Sequence, residues 1–401
     1  MSDLTEARPS LHTEVSRPTP FHPRLSGLCL TNEWVRWGGY TTVNAFDNVE
    51  LEYFAVRNQS TVFDVSPMNK YCVHGPDAER FMNRLLTRDV RKIAPGRVGY
   101  CIWCDDAGHV LDDGTVFRFS ETEFRLCCQE RQYLWLWESA VGFDVTIDDV
   151  SDEVAGLALQ GPTSFAVLKR MGLEGAAALR PFDVTDFEFG GGALTVSRTG
   201  FTGDLGYELW VPPERALDLW DALWEAGRLH GLRPIGSAAL DLARIEAGFI
   251  ATNIDFVAKD NALRPNRGRS PFELGLNRLV DFDKGHFTGR RALLEEREKG
   301  SRYHVVGLEV LGSKPARDAL VYVGEATQVG TVTSAMWSPT CKRNIAIATL
   351  KRPYDLGKEP LWTEIYVNKE GKWEKVVALC HITERPFFKT PRRSATPPLD
   401  H

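Results

Sequence analysis

The chain of 401 residues is 43% apolar with a formal net charge of −6, enough apolar material for a large core and too long for one comfortable domain. Its charges form no broad basic field, so nucleic acid is not an expected partner. No apolar run approaches the roughly 18–20 residues that span a bilayer, and the eight scattered cysteines follow an N-terminus without a secretory pattern, so a reduced, soluble, cytoplasmic protein with no membrane association is expected.

Residues 1–24, rich in Pro, Ser, Thr and charge, lack a usable hydrophobic period and read as a flexible tail. Two later stretches share one plan of strand, Gly-Pro turn and amphipathic helix. The first, YCVHGPDAERFMNRLL, turns at Gly75-Pro76, has Asp77 as an expected N-cap, and sets Phe81, Leu85 and Leu86 on one face. The second, LALQGPTSFAVLKRMG, turns at Gly161-Pro162 and stops at Gly172. Each continues into a turn-separated strand pair and another helix, CIWCDDAGHVLDDGTVFRF before YLWLWESA and ALTVSRTGFTGDLGYELWV before PPERALDLWDALWEAG. The repetition predicts a pseudo-duplicated α+β fold with a ligand cleft between related halves, and acidic residues in or beside the second strand of each pair, Asp112-Asp113 and Glu208.

A further helix, roughly Ser237 to Ala247, has Ser237 as a plausible cap and places Leu240 and Arg244 on one face. The insertion AKDNALRPNRGRS follows Asp255, and its role stays open. Residues 301–385 read as short strands and turns, a separate β-barrel-like domain. Residues 389–401, with Lys389, Arg392 and Arg393, read as a solvated tail.

Two features do not qualify as sites. Cys101 and Cys104 form a lone CxxC whose strand spacing sends the side chains to opposite faces, so no metal site is expected. SRTGFTGDLG lacks the ending of a phosphate loop. Asp112-Asp113-Gly114 by itself suits hairpin-turn chemistry.

Several motifs in fixed order change that reading: FDVS at 63–66, GPDAERF at 75–81, LDD at 111–113, SRTGFTGDLGYEL at 197–209 and SPT at 338–340. In these the chain resembles the aminomethyltransferase (glycine-cleavage T-protein) family over roughly 350 residues. The resemblance implies a three-domain cloverleaf, with a pseudo-duplicated folate-binding region over residues 25–290, two interleaved α+β domains, and a C-terminal β-barrel domain over 301–388. It implies tetrahydrofolate as cofactor and a one-carbon transferase as function. Asp113 matches the family's aspartate beside the reactive folate nitrogen, where a carboxylate near its ordinary pKa of about 4 would be ionised; Asp112 stays with the turn. Glu208 matches the pterin-binding glutamate, a carboxylate able to accept paired hydrogen bonds from an amino-pyrimidinone edge. Tyr100 and Phe201 match aromatic positions around the folate, and Phe388 is expected to help close the channel.

Substrate choice turns on the departures. T-proteins have an arginine where Leu240 stands, beside the aminomethyl-lipoyl arm, and leucine favours apolar surface. With Trp34, Trp37, Trp103 and Phe117 as aromatic bulk, this favours a demethylase branch that moves a methyl group from a small donor to tetrahydrofolate, best a methoxy-aromatic acid, with a sulfonium propionate or an N-methyl amino compound as other donors. The alternatives are the aminomethyltransferase that works with a lipoyl carrier protein, and a non-catalytic folate-binding assembly factor. A cysteine marks that last branch in a KGCYxGQE-like segment; this chain has KGHFTGRR at 284–291, with His286 in its place.

Overall fold

The computed structural model describes residues 16–263 and 267–397. Its two central sheets carry the duplication. One runs in spatial order Arg97–Cys104, Val110–Arg118, Glu123–Cys128, Asn69–His74 and Thr146–Asp149; the other runs Val184–Phe189, Gly192–Ser197, Gly206–Val211, Ala155–Gln160, Thr61–Asp64 and Arg233–Pro234. The orders coincide once Thr61–Asp64 is set aside, and that strand, which precedes the first copy in the chain, is what interleaves the halves. The expected second strand pair is the second and third strand of its sheet, so Asp113 and Glu208 stand on non-equivalent strands.

The Gly-Pro turns have a steric cause. Gly75 and Gly161 have φ of +133° and +116°, a region that L side chains rarely adopt. A Cβ at Gly161 would lie 2.3 Å from the Gln59 carbonyl oxygen. The helix after each turn, Ala78–Leu85 and Ser164–Arg170, then buries its apolar face: Phe81, Leu85, Phe165 and Leu168 are all inside. Asp77 stands at the N-cap position without capping through its side chain; its carboxylate instead accepts from the Asp144 N–H at 3.1 Å.

Residues 303–383 close into a six-stranded barrel. The helix Ser237–Glu246 ties it to the helix Val49–Asn58 and to the loop at Asp255 through two buried polar networks. Glu246 accepts from Arg57 at 2.8 Å and from the hydroxyls of Tyr53 and Ser338, the latter being the serine of the SPT motif. Arg244 donates to Asp255, to Ser334 at 2.7 Å and to Asp241 at 2.8 Å. Such pairs hold geometry because leaving one partner alone in the interior is costly. Gly236, not Ser237, is the N-cap of this helix, and its N–H donates to Glu52 at 2.7 Å.

Both segments read as tails depart from that expectation. Arg17–Pro18 pairs with Tyr40–Thr41, and Phe21 is fully buried; residues 1–15 lie outside the described residues. At the other end Arg392 forms a two-pronged pair with Asp204 at 2.9 and 3.0 Å, Arg198 donates to the Ala395 carbonyl, and Arg393 lies 5.2 Å over the Phe249 ring. The local polar composition that suggested solvation supplies instead the charged groups that dock the segment. Cys101 and Cys104 face different apolar cores, and all eight cysteines are unpaired.

Candidate active site

A cavity of about 1370 Å³ opens where the two sheets, the helix Ser237–Glu246 and the barrel meet. Pockets for one drug-sized ligand hold roughly 300–1,000 Å³, so this one has room for two reactants. Of the candidate residues, Asp113, Glu208, Tyr100, Phe201, Leu240 and Trp37 line it.

Asp113 lies in the strand Val110–Arg118, three residues past its start. The hairpin turns earlier, at Asp105 to Gly108, where the Gly108 N–H bonds the Asp105 carbonyl. Asp112-Asp113-Gly114 is therefore not turn chemistry. Gly114 is required for another reason: a Cβ there would lie 2.2 Å from the Cys127 carbonyl oxygen of the adjacent strand. Asp113 accepts from the Tyr100 hydroxyl at 2.7 Å and the Thr252 hydroxyl at 2.6 Å. Burial raises its pKa, opposed by those two hydroxyls, so the expectation of an ordinary carboxylate is corrected: desolvation disfavours its charge. Burial, then the Asp113 charge, pushes the fully buried Asp112 up to about 8.

Glu208 faces the cavity from the second sheet, in a strand whose Tyr207 and Trp210 are buried in separate cores. Thr199 donates to it at 2.6 Å and is itself 2.7 Å from Ser197. Burial raises its pKa, and the two hydroxyls hold it down. Phe201 stacks on Phe249 at 5.3 Å and 12°, a flat apolar wall. The Trp37 Nε1–H donates to Gln129 at 3.0 Å.

Leu240 does not make its wall apolar. Asp241, Arg244 and Arg317 line the cavity beside it, and Arg317 donates to Asp241 from the barrel side. Arg278, Arg385 and Arg393 add further cations to the lining.

Trp103, Phe117 and Phe388 do not line the cavity. Trp103 and Phe117 are fully buried in separate cores, and Phe117 meets Trp210 edge to face at 6.1 Å. Phe388 lies against the Arg57 guanidinium at 4.7 Å. Trp34 lies tilted against His22 and does not line the cavity. The aromatic surplus is therefore mostly structural. Two hydroxyl residues escaped sequence reasoning. Thr199 was visible inside the SRTGFTG motif, whereas Thr252 reaches Asp113 across 139 residues with no local signal.

Comparison with known proteins fits this geometry. Residues 15–284 match the model for the GCVT N-terminal domain, and residues 304–389 match that for the glycine cleavage T-protein C-terminal barrel domain. The chain belongs to the glycine-cleavage T-protein family. It is 34% identical over 360 residues to the aminomethyltransferase of Caldanaerobacter subterraneus subsp. tengcongensis, covering 88% of this chain and 92% of that protein. It is also 34% identical over 361 residues to the aminomethyltransferase of Geobacillus thermodenitrificans, covering 88% and 94%. The glycine cleavage system aminomethyltransferase T from Bartonella henselae shares the fold with a TM-score of 0.81 at 24% identity, covering 93% of this chain and 98% of that one.

The family's cofactor is tetrahydrofolate, and the cavity's donor set suits it. A carboxylate has about four acceptor positions, and the hydroxyls behind Glu208 leave capacity toward the cavity for the paired N–H groups of a pterin edge. The Phe201–Phe249 wall suits a flat ring, and Asp113, with both oxygens already oriented, suits a reacting amine. This T-protein relative is accordingly a folate-dependent one-carbon transferase. Among the described residues no helix is long and apolar enough to cross a membrane.

Proposed function

We propose that this chain is an aminomethyltransferase that delivers the one-carbon unit of an aminomethylated lipoyl carrier protein to tetrahydrofolate. The observation that carries the reading is the setting of Leu240: the wall beside it keeps the cations Arg244 and Arg317 and the anion Asp241, a polar environment of the kind an aminomethyl group needs. The names borne by the relatives over about nine-tenths of their length support the same choice. The methoxy-aromatic reading rested on Leu240 and four aromatic residues, and three of those four, Trp34, Trp103 and Phe117, are packed away from the cavity.

In this reading Glu208 and the Phe201–Phe249 wall hold and orient the folate, which when bound supplies the nucleophilic nitrogen. Tyr100 and Thr252 fix the Asp113 carboxylate, so its position costs no reorganisation during reaction. Asp113 takes and returns protons at its cavity-facing oxygens.

An anaerobic assay with tetrahydrofolate and a donor panel tests this. Methylene-tetrahydrofolate and ammonia are expected with aminomethylated lipoyl carrier, formed roughly 100-fold or more slowly in Asp113→Asn. Methyl-tetrahydrofolate formed only from a methoxybenzoate, a sulfonium propionate or an N-methyl amine would overturn it in favour of a small methyl donor. Folate binding with no turnover of any donor would favour the assembly-factor reading.

A further inference from the structure

Proton supply at this site turns on one hydroxyl. Thr252 Oγ lies 2.6 Å from Asp113 Oδ1 and 3.0 Å from Asp112 Oδ1. A threonine hydroxyl has a single proton and donates to only one of these oxygens. Were both aspartates ionised, the other oxygen would face the lone pairs of Thr252 in a buried, low-dielectric place. The arrangement closes when Asp112 is a carboxylic acid: its O–H donates to Thr252, and Thr252 donates to Asp113.

We propose that Asp112 is the proton store of the site, loading and unloading Asp113 through the Thr252 hydroxyl. The proposal rests on the reading of Asp113 as the carboxylate that serves the reacting groups. Asp112 is fully buried and does not line the cavity, so it is a positioning and supplying residue. Its other contacts fix it and favour its charged form, against the burial and the Asp113 charge that favour the acid: the Glu130 N–H donates to Oδ2 at 2.7 Å and the Asp113 N–H to Oδ1 at 2.9 Å.

Among the described residues no ion pair involves Asp112 or Asp113. The thiols of Cys101 and Cys128, which face the pair, are buried and held protonated by desolvation. The Glu130 carboxylate is turned outward onto Asn253 and Asn261 at 2.8 and 2.9 Å. The nearby cations act one group away: Arg278 and Arg385 on Tyr100, the phenol that bonds Asp113, and Arg88 on Cys101, and none of them forms an ion pair with either aspartate. Two adjacent carboxylates with no ion-paired cation favour sharing one proton, because like charges repel where the dielectric is low. The elevation of Asp112 to about 8 agrees.

The transfer balances without any other reactant. The Asp112 O–H bond breaks as a bond forms to Thr252 Oγ, the threonine's own O–H breaks as one forms to Asp113 Oδ1, and the negative charge moves from Asp113 to Asp112. The reverse sequence restores the start. One turnover that first takes a proton and then gives one is thus served by a single cavity-facing carboxylate.

Infrared spectroscopy of the isolated protein, with no folate and no donor, reads the store directly. At pH 7 a buried carboxylic C=O band above the carboxylate region is expected, lost in Asp112→Asn. Wild-type protein without the band, or Asp112→Asn that keeps it, overturns the proposal whatever the activity. Thr252→Val is expected to retain the band and folate affinity while slowing transfer roughly 100-fold, with Thr252→Ser restoring the rate. A Thr252→Val rate equal to wild type would overturn the relay. A protein that shows the band but binds no folate would refute the functional reading and leave the proton assignment standing.

Discussion

Replacing Glu208 with glutamine removes a charge while keeping size, and its consequences for folding and binding have opposite signs. In the folded protein Glu208 is half-buried with its pKa raised by desolvation. A carboxyl raised on folding contributes stability below its unfolded pKa and loses it as pH climbs through the folded value. At pH 8 the ionised side chain is therefore a burden on the empty protein, and Glu208→Gln should leave its Tm unchanged or higher. Binding goes the other way. Two N–H donors meeting a carboxylate contribute roughly 1.5–3 kcal/mol each; an amide offers one neutral acceptor oxygen and an unwanted NH2. A net loss of about 3 kcal/mol corresponds to a Kd for tetrahydrofolate raised roughly 100-fold. Anaerobic titration calorimetry alongside thermal melts of the empty protein reads both. A Kd change under about threefold, or an empty protein destabilised by as much as binding is weakened, would refute the assignment of Glu208 to the pterin.

Asp113→Asn should keep folate Kd within a few-fold and cut transfer by roughly 100-fold or more, read by single-turnover kinetics; an equal loss of both would make Asp113 a binding residue. Phe117→Ala should cost about 3–5 kcal/mol in urea unfolding, with KM values unchanged in the surviving folded protein, because its ring fills a core beside Trp210 and not the cavity. Lys284, buried with its Nζ donating to the Asn83 and Leu86 carbonyls, has its pKa lowered to about 7 by desolvation. Between pH 7 and the ordinary lysine range near 10.4 the unfolded chain binds more protons, so stability should rise with pH. Lys284→Met should flatten that rise, measured as unfolding midpoints at pH 7 and 9.

Much of the fold was legible because its signals are local. The Gly-Pro turns need φ values that glycine tolerates, and the faces of the helices after them follow from apolar spacing. The duplication showed as repetition, and Asp113 and Glu208 stood in ordered motifs whose positions line the cavity. The aromatic residues were read less well, since a tryptophan or phenylalanine in a strand looks the same whether its ring fills a core, as at Trp103 and Phe117, or faces a cavity, as at Trp37. The segments at 16–24 and 389–397 were misread because polar composition does not say whether a charged group is solvated or paired.

From the sequence alone came the family motifs, the two-copy plan, the barrel and the pair of carboxylates, all written within short stretches by spacing and turn chemistry. Only the tertiary structure decided which hydroxyls bond those carboxylates, that Leu240 stands among charges, and that Arg392 finds Asp204. Those contacts join residues up to 188 apart, and the burial that raises the pKa of Asp112 and Asp113 is a property of everything packed around the side chains, which no short stretch of sequence displays.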